Sequence, residues 1–331
     1  MEVISDINSI DRGKWSAFVE KHPQGTIFQS SEMFEMYQGT SHCQPVVVVA
    51  QDNDEIRGVL FAVIMWNGND IVKRLTARSI IVGGPLAENN DEVVIKQLFK
   101  AYLKKLPRYV VYSEIRPVYD MESISAFLEK EGFKRRGHYN LMLNLETDEQ
   151  ALWSGLHKER QRNIRHAEKV GLEYREVTSN DEIENVLELI KQTYRRKQVP
   201  MSYFDTFAKA KSALHGSIHF FAAYNTEKMV AGQIRLCYKD LVYAWFAGSD
   251  ENCFKQRPND FLMWNVICWA HDNGYKLFDF GGGGEPGVPY GVRDYKLKYG
   301  CQMLDYGRFQ YFHHPMMYKI GELGAKMIIK R

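Results

Sequence analysis

No run of eighteen apolar residues occurs in the 331-residue chain, and its opening, "MEVISDINSIDRGKW", is charged from the second residue. Neither a membrane-spanning helix nor a secretory leader is expected, and the chain reads as cytosolic. An excess of one charge is missing too: 43 Lys and Arg stand against 41 Asp and Glu, a formal net charge of +2, as in an ordinary globular protein. Cysteine is scarce. Cys43, Cys237, Cys253, Cys268 and Cys301 are far apart and never form C-x-x-C, which reads as reduced thiols rather than disulfides or zinc ligands. His313 and His314 are adjacent instead of three or four apart, so no metal site is expected. G-x-S-x-G is absent and no cysteine has a recognisable catalytic context, which leaves nucleophilic triads unsupported.

What is present is an alternation of helical and strand periods over a length that suits two domains. "KWSAFVEKH" and "SSEMFEMYQG" predict two short opening helices, the second capped by Ser30 or Ser31. "QPVVVVAQDNDEIRGVLFAVIMW" predicts two strands around a polar turn, and "VKRLTARSIIVGGPLA" a third that stops at Gly-Gly-Pro. A helix over 91–105, a strand "RYVVYSEIR", a helix around "ISAFLEKEG" and a closing strand "HYNLMLNL" complete the first half. In the second, "DEQALWSGLHKERQRNIRHAEKVG" predicts one helix stopped by Gly171 and "SNDEIENVLELIKQTYRRKQ" another. Three strands, "SIHFFAAYN", "KMVAGQIRLCY" and "LVYAWFAGS", precede a helix "NDFLMWNVICWAHDNG" and a strand "YKLFDF". "FLEKEGFKRR" and "WAHDNGYKLFDF" echo each other, so two copies of a mixed α/β unit are expected, with domains 1–145 and 146–331 and the ligand between them.

The stretch that invites a chemical reading is "FDFGGGGEPGVPYGVRDYKLKYG". Gly281, Gly282 and their neighbours would let backbone N–H groups approach a phosphate, or would form a mobile loop at a sheet edge. It matches no nucleotide fingerprint, because Lys296 lies far beyond Gly284 and two prolines intervene. Asp279 ends the strand as a general base or a loop cap. "YKLKYG" alternates with period two, predicting a strand with Tyr295, Leu297 and Tyr299 on one face and Lys296 and Lys298 on the other. That basic pair suits a polyanion or a developing oxyanion, or is a solvated face. Lys158, Arg162, Arg165 and Lys169 recur along one helix side, as a solvated face or a contact to phosphate or RNA. The terminal "MMYKIGELGAKMIIKR" predicts a packed helix, with contact to an anionic membrane as the alternative.

The order of motifs resembles the FemABX-like peptidyltransferases and related acyltransferases. The residues that carry the resemblance are "HPQGTIFQSSEMF", "GGPL" at 83–86, "ERQRNIRHAEKVGLE", "QTYRRKQ", "VAGQIRLCYKDLVYAWFAGSD", "WAHDNGYKLFDFGG" and "YKLKYG", and they cover nearly the whole chain. The resemblance implies two tandem GNAT-like domains, each a mixed, mostly antiparallel sheet flanked by helices. It further implies transfer of an acyl or aminoacyl group onto an amine of a nucleotide- or lipid-linked cell-envelope precursor, peptidoglycan or surface polysaccharide. Aminoacyl-tRNA is the leading co-substrate, and no permanently bound cofactor is implied. Carried over by position, Lys296 stabilises the tetrahedral oxyanion with Tyr295 beside it, and Arg196 contacts acceptor phosphates. Gln29 and Tyr37 of the early motif, Arg162, Lys298, Asp279, Gly281 and Gly282 complete the candidate site. Met33, Glu35 and Tyr37 depart from the family's tryptophan and lysines in that early motif. The alternative donor is acyl-CoA, in an N-acetyltransferase acting on an amino sugar of an exopolysaccharide. The segment "ENCFKQRPNDFLMW" lacks the glycines of a CoA pyrophosphate loop. A non-catalytic glycan- or RNA-binding module is the third alternative.

Overall fold

A computed structural model describes residues 1–199 and 206–329. Within these the chain divides into two compact units, one of residues 1–137, 206–214 and 306–329, the other of 138–199 and 215–305. Each unit has its own sheet.

The first unit holds strands β1 (Glu2–Ile4), β2 (Cys43–Asp52), β3 (Glu55–Met65), β4 (Arg78–Val82), β5 (Leu86–Ala87), β6 (Tyr112–Arg116), β7 (Lys134–Arg136) and, from far along the chain, β15 (Arg308–Phe312). They run in the order β1-β2-β3-β4-β6-β15-β7, with β5 paired to β3. All neighbours are antiparallel except β4 and β6, whose crossover carries the long helix of the unit. Its helices are α1 (Arg12–Lys21), α2 (Ser31–Tyr37), α3 (Asp70–Thr76), α4 (Glu92–Lys105), α5 (Glu122–Lys130), α9 (Thr206–Ala213) and α12 (Pro315–Ile329). Val46–Ala50 and Val59–Ile64 are buried without alternation, the pattern of strands covered on both faces. The β2–β3 turn places Asn53 and Asp54 at φ 48° and 67°, the left-handed pair that a tight hairpin requires.

The second unit holds β8 (Tyr139–Asn144), β9 (Leu172–Glu176), β10 (Ile218–Asn225), β11 (Lys228–Tyr238), β12 (Leu241–Ser249), β13 (Leu277–Gly282) and β14 (Gln302–Asp305) in the order β14-β8-β13-β12-β11-β10-β9. Only β12 and β13 run parallel. Helices α6 (Glu149–Gly155), α7 (Lys158–Lys169), α8 (Asn180–Arg196), α10 (Pro258–Asp272) and α11 (Gly291–Leu297) flank it. The core gathers Phe221, Trp264, Phe278 and Phe280.

Four expectations are corrected. β8, expected to close the first unit, pairs with β13 and β14 of the second, while β15 returns to pair with β6 and β7. The compact units therefore do not follow a single cut at 145/146. The start of "VKRLTARSIIVGGPLA" is helical, because the Asn69 side chain caps α3 by accepting from the N–H groups of Ile71 and Val72. The single helix expected over 148–171 is two, since His157 accepts from Glu159 N–H and starts α7 afresh. "YKLKYG" is not a strand; its first three residues end α11. All five cysteines are free. Among the described residues no helix is long and apolar enough to cross a membrane.

Candidate active site

The site begins where two strands part. β12 and β13 pair only from Leu241–Leu277 to Tyr243–Asp279. β12 then continues against β11, through an irregularity at which Arg235 faces Ala244 and Ile234 faces Phe246. Residues 243–247 are only half-buried there.

Asp279 sits at this point with no exposed surface. Its Oδ1 accepts from Gly281 N–H at 2.6 Å, and its Oδ2 is buried without a hydrogen-bond partner among the described residues. Gly281 takes φ +75°, and a side chain there would sit 3.2 Å from the Tyr243 hydroxyl, so glycine is needed for both conformation and space. One residue on, the Gly282 carbonyl accepts from Lys296 Nζ at 2.8 Å. Burial pushes the Asp279 carboxyl up to about 7, against the opposing pull of the Gly281 N–H and the Lys296 charge. Burial also pushes Lys296 down to about 8, opposed by the charges of Asp279 and Cys301. An acid and a base of nearly matched strength thus flank one turn, the arrangement that desolvation produces at reactive sites. An ammonium has three N–H donors, and Gly282 uses one.

A buried polar cluster anchors α11. Arg160 on α7 donates to Asp260 on α10, as does Asn163 at 2.7 Å and the Tyr299 hydroxyl at 3.2 Å. Tyr295 bonds Tyr299 through their hydroxyls at 2.8 Å, and the Arg160 guanidinium lies 4.5 Å from the Tyr295 ring centre. Burial raises both phenols, so they stay neutral hydrogen-bonding groups. Lys298 pairs with Glu159 at 2.6 Å. The two lysines expected on one strand face are separated by the helix: Lys296 turns to β13 and Lys298 to α7.

The glycine-rich loop has a different occupant from the one its composition invites. Arg293 donates to the carbonyls of Gly283 and Glu285 at 3.2 and 3.0 Å, and also to that of Val288. The loop turns carbonyl oxygens inward onto a guanidinium, whereas a phosphate cradle would turn N–H groups inward.

The remaining candidates lie in other contacts. Arg196 ends α8, 3.6 Å from Glu251 and over the Phe254 ring. Thr193, one turn earlier, exchanges hydrogen bonds with the Ser249 backbone and locks α8 to the end of β12. Arg162 is exposed on α7. Gln29 belongs to the first unit and is fully buried; it donates to the Gly84 carbonyl at 3.1 Å and accepts from Thr26 N–H at 2.9 Å. It braces the Gly83–Gly84 turn rather than offering its amide to a ligand. Tyr37 is half-buried at the end of α2. Sequence reasoning passed over Arg160, Asn163 and Asp260, and also Arg235. Arg235 is 1% exposed and donates to Ile234 O at 3.0 Å and to the Gln233 side chain, its guanidinium 5.5 Å from the Phe278 ring. Its signal was Gln233 and Arg235 sharing one face of an otherwise apolar strand. Among the described residues no group of three acids, histidines or cysteines is placed to hold a metal.

Residues 156–297 match the family model of the acetyltransferase (GNAT) domain. This span contains β12, β13, Asp279 and Lys296. Residues 156–297 thus form a GNAT-type acyltransferase domain, and the chain as a whole has a Fem-like fold. In structure it is similar to FemX, with TM-score 0.73, 15% identity, and 97% of this chain and 99% of that chain covered. It is also similar to a tandem GNAT protein from the clavulanic acid biosynthesis pathway, with TM-score 0.60, 10% identity and coverage of 94% and 98%. L-PGS from Bacillus licheniformis gives TM-score 0.60, 14% identity and coverage of 95% and 96%. No curated protein matches the chain in sequence. The acyltransferase thus has two tandem GNAT-like units, each built on a mostly antiparallel sheet.

Proposed function

We propose that this acyltransferase moves an aminoacyl group from aminoacyl-tRNA onto an amine of a cell-envelope precursor. The observation that carries the proposal is the Asp279–Gly282–Lys296 turn at the parting of β12 and β13. The acceptor amine attacks the ester carbonyl, a C–N bond forms, and negative charge gathers on the carbonyl oxygen. Lys296 donates an N–H to that oxyanion, a contribution worth about 3 kcal/mol when a single such donor is removed. Asp279 accepts the proton that the amine sheds and returns it to the ribose oxygen as the C–O bond breaks, which releases the ribose hydroxyl. An ester is already activated, so positioning and oxyanion stabilisation suffice without a covalent intermediate on the enzyme.

The donor is argued from the start of α10. A CoA pyrophosphate would seek free N–H groups there, but Pro258 at the first position has none. Arg257 takes the left-handed conformation at φ 64°, and Asp260 brings a buried carboxylate into the first turn. On α7, by contrast, Lys158, Arg162, Arg165 and Lys169 are exposed, with no ion pair to an acid among the described residues, which suits an RNA backbone. The GNAT family match favours acyl-CoA as the second donor. Mass spectrometry of candidate precursors after incubation with charged tRNA or with acetyl-CoA separates the two. A mass increase of one aminoacyl group, dependent on charged tRNA, is expected; acetylation alone overturns the tRNA reading.

A further inference from the structure

The C-terminal helix faces the wrong way for a helix that only packs. α12 meets its own unit through Tyr318, whose ring lies 5.2 Å from Tyr112 and 4.6 Å from Phe312, and through Gly321. A side chain at Gly321 would come within 2.8 Å of the Leu75 carbonyl on α3. Residues 318 and 321 are three apart and define the packed face. Met316, Ile320 and Leu323 occupy the opposite side and are 80%, 52% and 60% exposed, and Met317, beside Gly321, is 43% exposed. On adjoining α3, Ile71 is 76% exposed and Val72 39%. Over its described side chains, α12 packs a half-buried tyrosine and glycine while turning three large apolar side chains outward, the reverse of the usual arrangement, and an apolar surface of this kind marks an interaction site.

The charges beside it select the partner. Lys319 and Arg74 are exposed there, and neither forms an ion pair among the described residues. Over 315–331 the sequence carries Lys319, Lys326, Lys330 and Arg331 against Glu322 alone. A second copy docking about a two-fold axis would set these cations against themselves. An apolar stripe edged by lysine and arginine instead matches an anionic bilayer, whose acyl boundary takes the stripe and whose headgroups take the cations. We propose that α12 and α3 together form a membrane-surface docking site for anionic lipid.

The test uses the full chain with vesicles of phosphatidylglycerol mixed with phosphatidylcholine, and with vesicles of phosphatidylcholine alone, followed by sedimentation. Binding to the anionic vesicles only, weakened by added salt, is expected. Combining Ile320→Glu with Leu323→Glu should weaken it by at least about tenfold. Val93→Glu, at an exposed apolar position on α4, should leave it unchanged. Circular dichroism confirms that each variant is folded. No binding by the unsubstituted chain, equal binding to both vesicle types, or binding indifferent to the double substitution overturns the proposal. Concentration-dependent dimers in ultracentrifugation that the double substitution abolishes, without vesicle binding, assign the face to a second copy and overturn it as well.

Discussion

Replacing Asp279 with Asn should make the chain more stable and less active at once, and pH should separate the two effects. The folded carboxyl titrates at about 7 because it is fully buried; in the unfolded chain it returns to about 3.9. A carboxyl raised on folding favours the folded state while it is neutral, below the unfolded value, and that advantage is lost as pH rises to the folded value. Between about pH 5 and about pH 7 the unfolded chain is already ionised while the folded one is not. At about 1.4 kcal/mol per pH unit the loss over that span is about 2.7 kcal/mol. Ionised Asp279 favours the charged form of Lys296, which returns part of it, so about 2 kcal/mol should be measured. Asn keeps an oxygen for Gly281 N–H and does not ionise. Urea unfolding of both proteins should therefore show the variant's stability advantage growing by about 2 kcal/mol between about pH 5 and about pH 8. In kcat/KM the unsubstituted enzyme should rise with pH through about 7 and decline above about 8 as Lys296 loses its proton. The variant should lose the acidic limb and fall by roughly a hundredfold or more. Parallel stability profiles for the two proteins would refute the reasoning, whatever the kinetics.

Lys296→Met should leave the unfolding midpoint within about 1 kcal/mol or raise it, because a buried cation is removed, while kcat falls by about two to three orders of magnitude; steady-state kinetics at unchanged KM checks it. Asp260→Ala should destabilise the second unit by about 3–5 kcal/mol, since it leaves Arg160 buried without its carboxylate, and differential scanning calorimetry reads the loss. Arg162→Ala combined with Lys169→Ala should weaken tRNA binding and reduce its salt dependence by about two in the log–log slope, with no change in melting temperature.

Much of the fold was legible because local chemistry and tertiary role agree. Ser30, Asp91 and Ser179 cap their helices through side-chain oxygens that accept from backbone N–H groups, and β10, β11 and β12 follow apolar runs ended by polar turns. What escaped depends on pairing between distant segments. Nothing local to β8 says that its partners lie at 277–282 and 302–305, or that β15 closes a sheet begun at the N-terminus. Arg235 escaped because a fully buried guanidinium with no carboxylate partner contradicts the rule by which buried charges are sought.

The instructive failure is "YKLKYG", where a strand was expected and the end of a helix is found. Tyr295 and Tyr299 are four residues apart, so they share a face in a strand, by parity, and in a helix, by the i, i+4 relation. Only Leu297 distinguishes the two, since a strand would bury it beside the tyrosines and a helix would turn it away; it is exposed. The helix also decides the chemistry. In a strand, Lys296 and Lys298 would form one basic face with a shared role. At the end of α11 they diverge: Lys298, just past the helix, meets Glu159 and stays a structural cation, while Lys296 is drawn against Gly282 and the desolvated Asp279. Burial is what makes one of two chemically identical lysines, two residues apart, an electrophilic catalyst candidate. That distinction arises from the Tyr295–Tyr299–Asp260–Arg160 cluster that fixes the rotation of α11. Loosening the cluster without touching Lys296 should therefore lower kcat as well as stability.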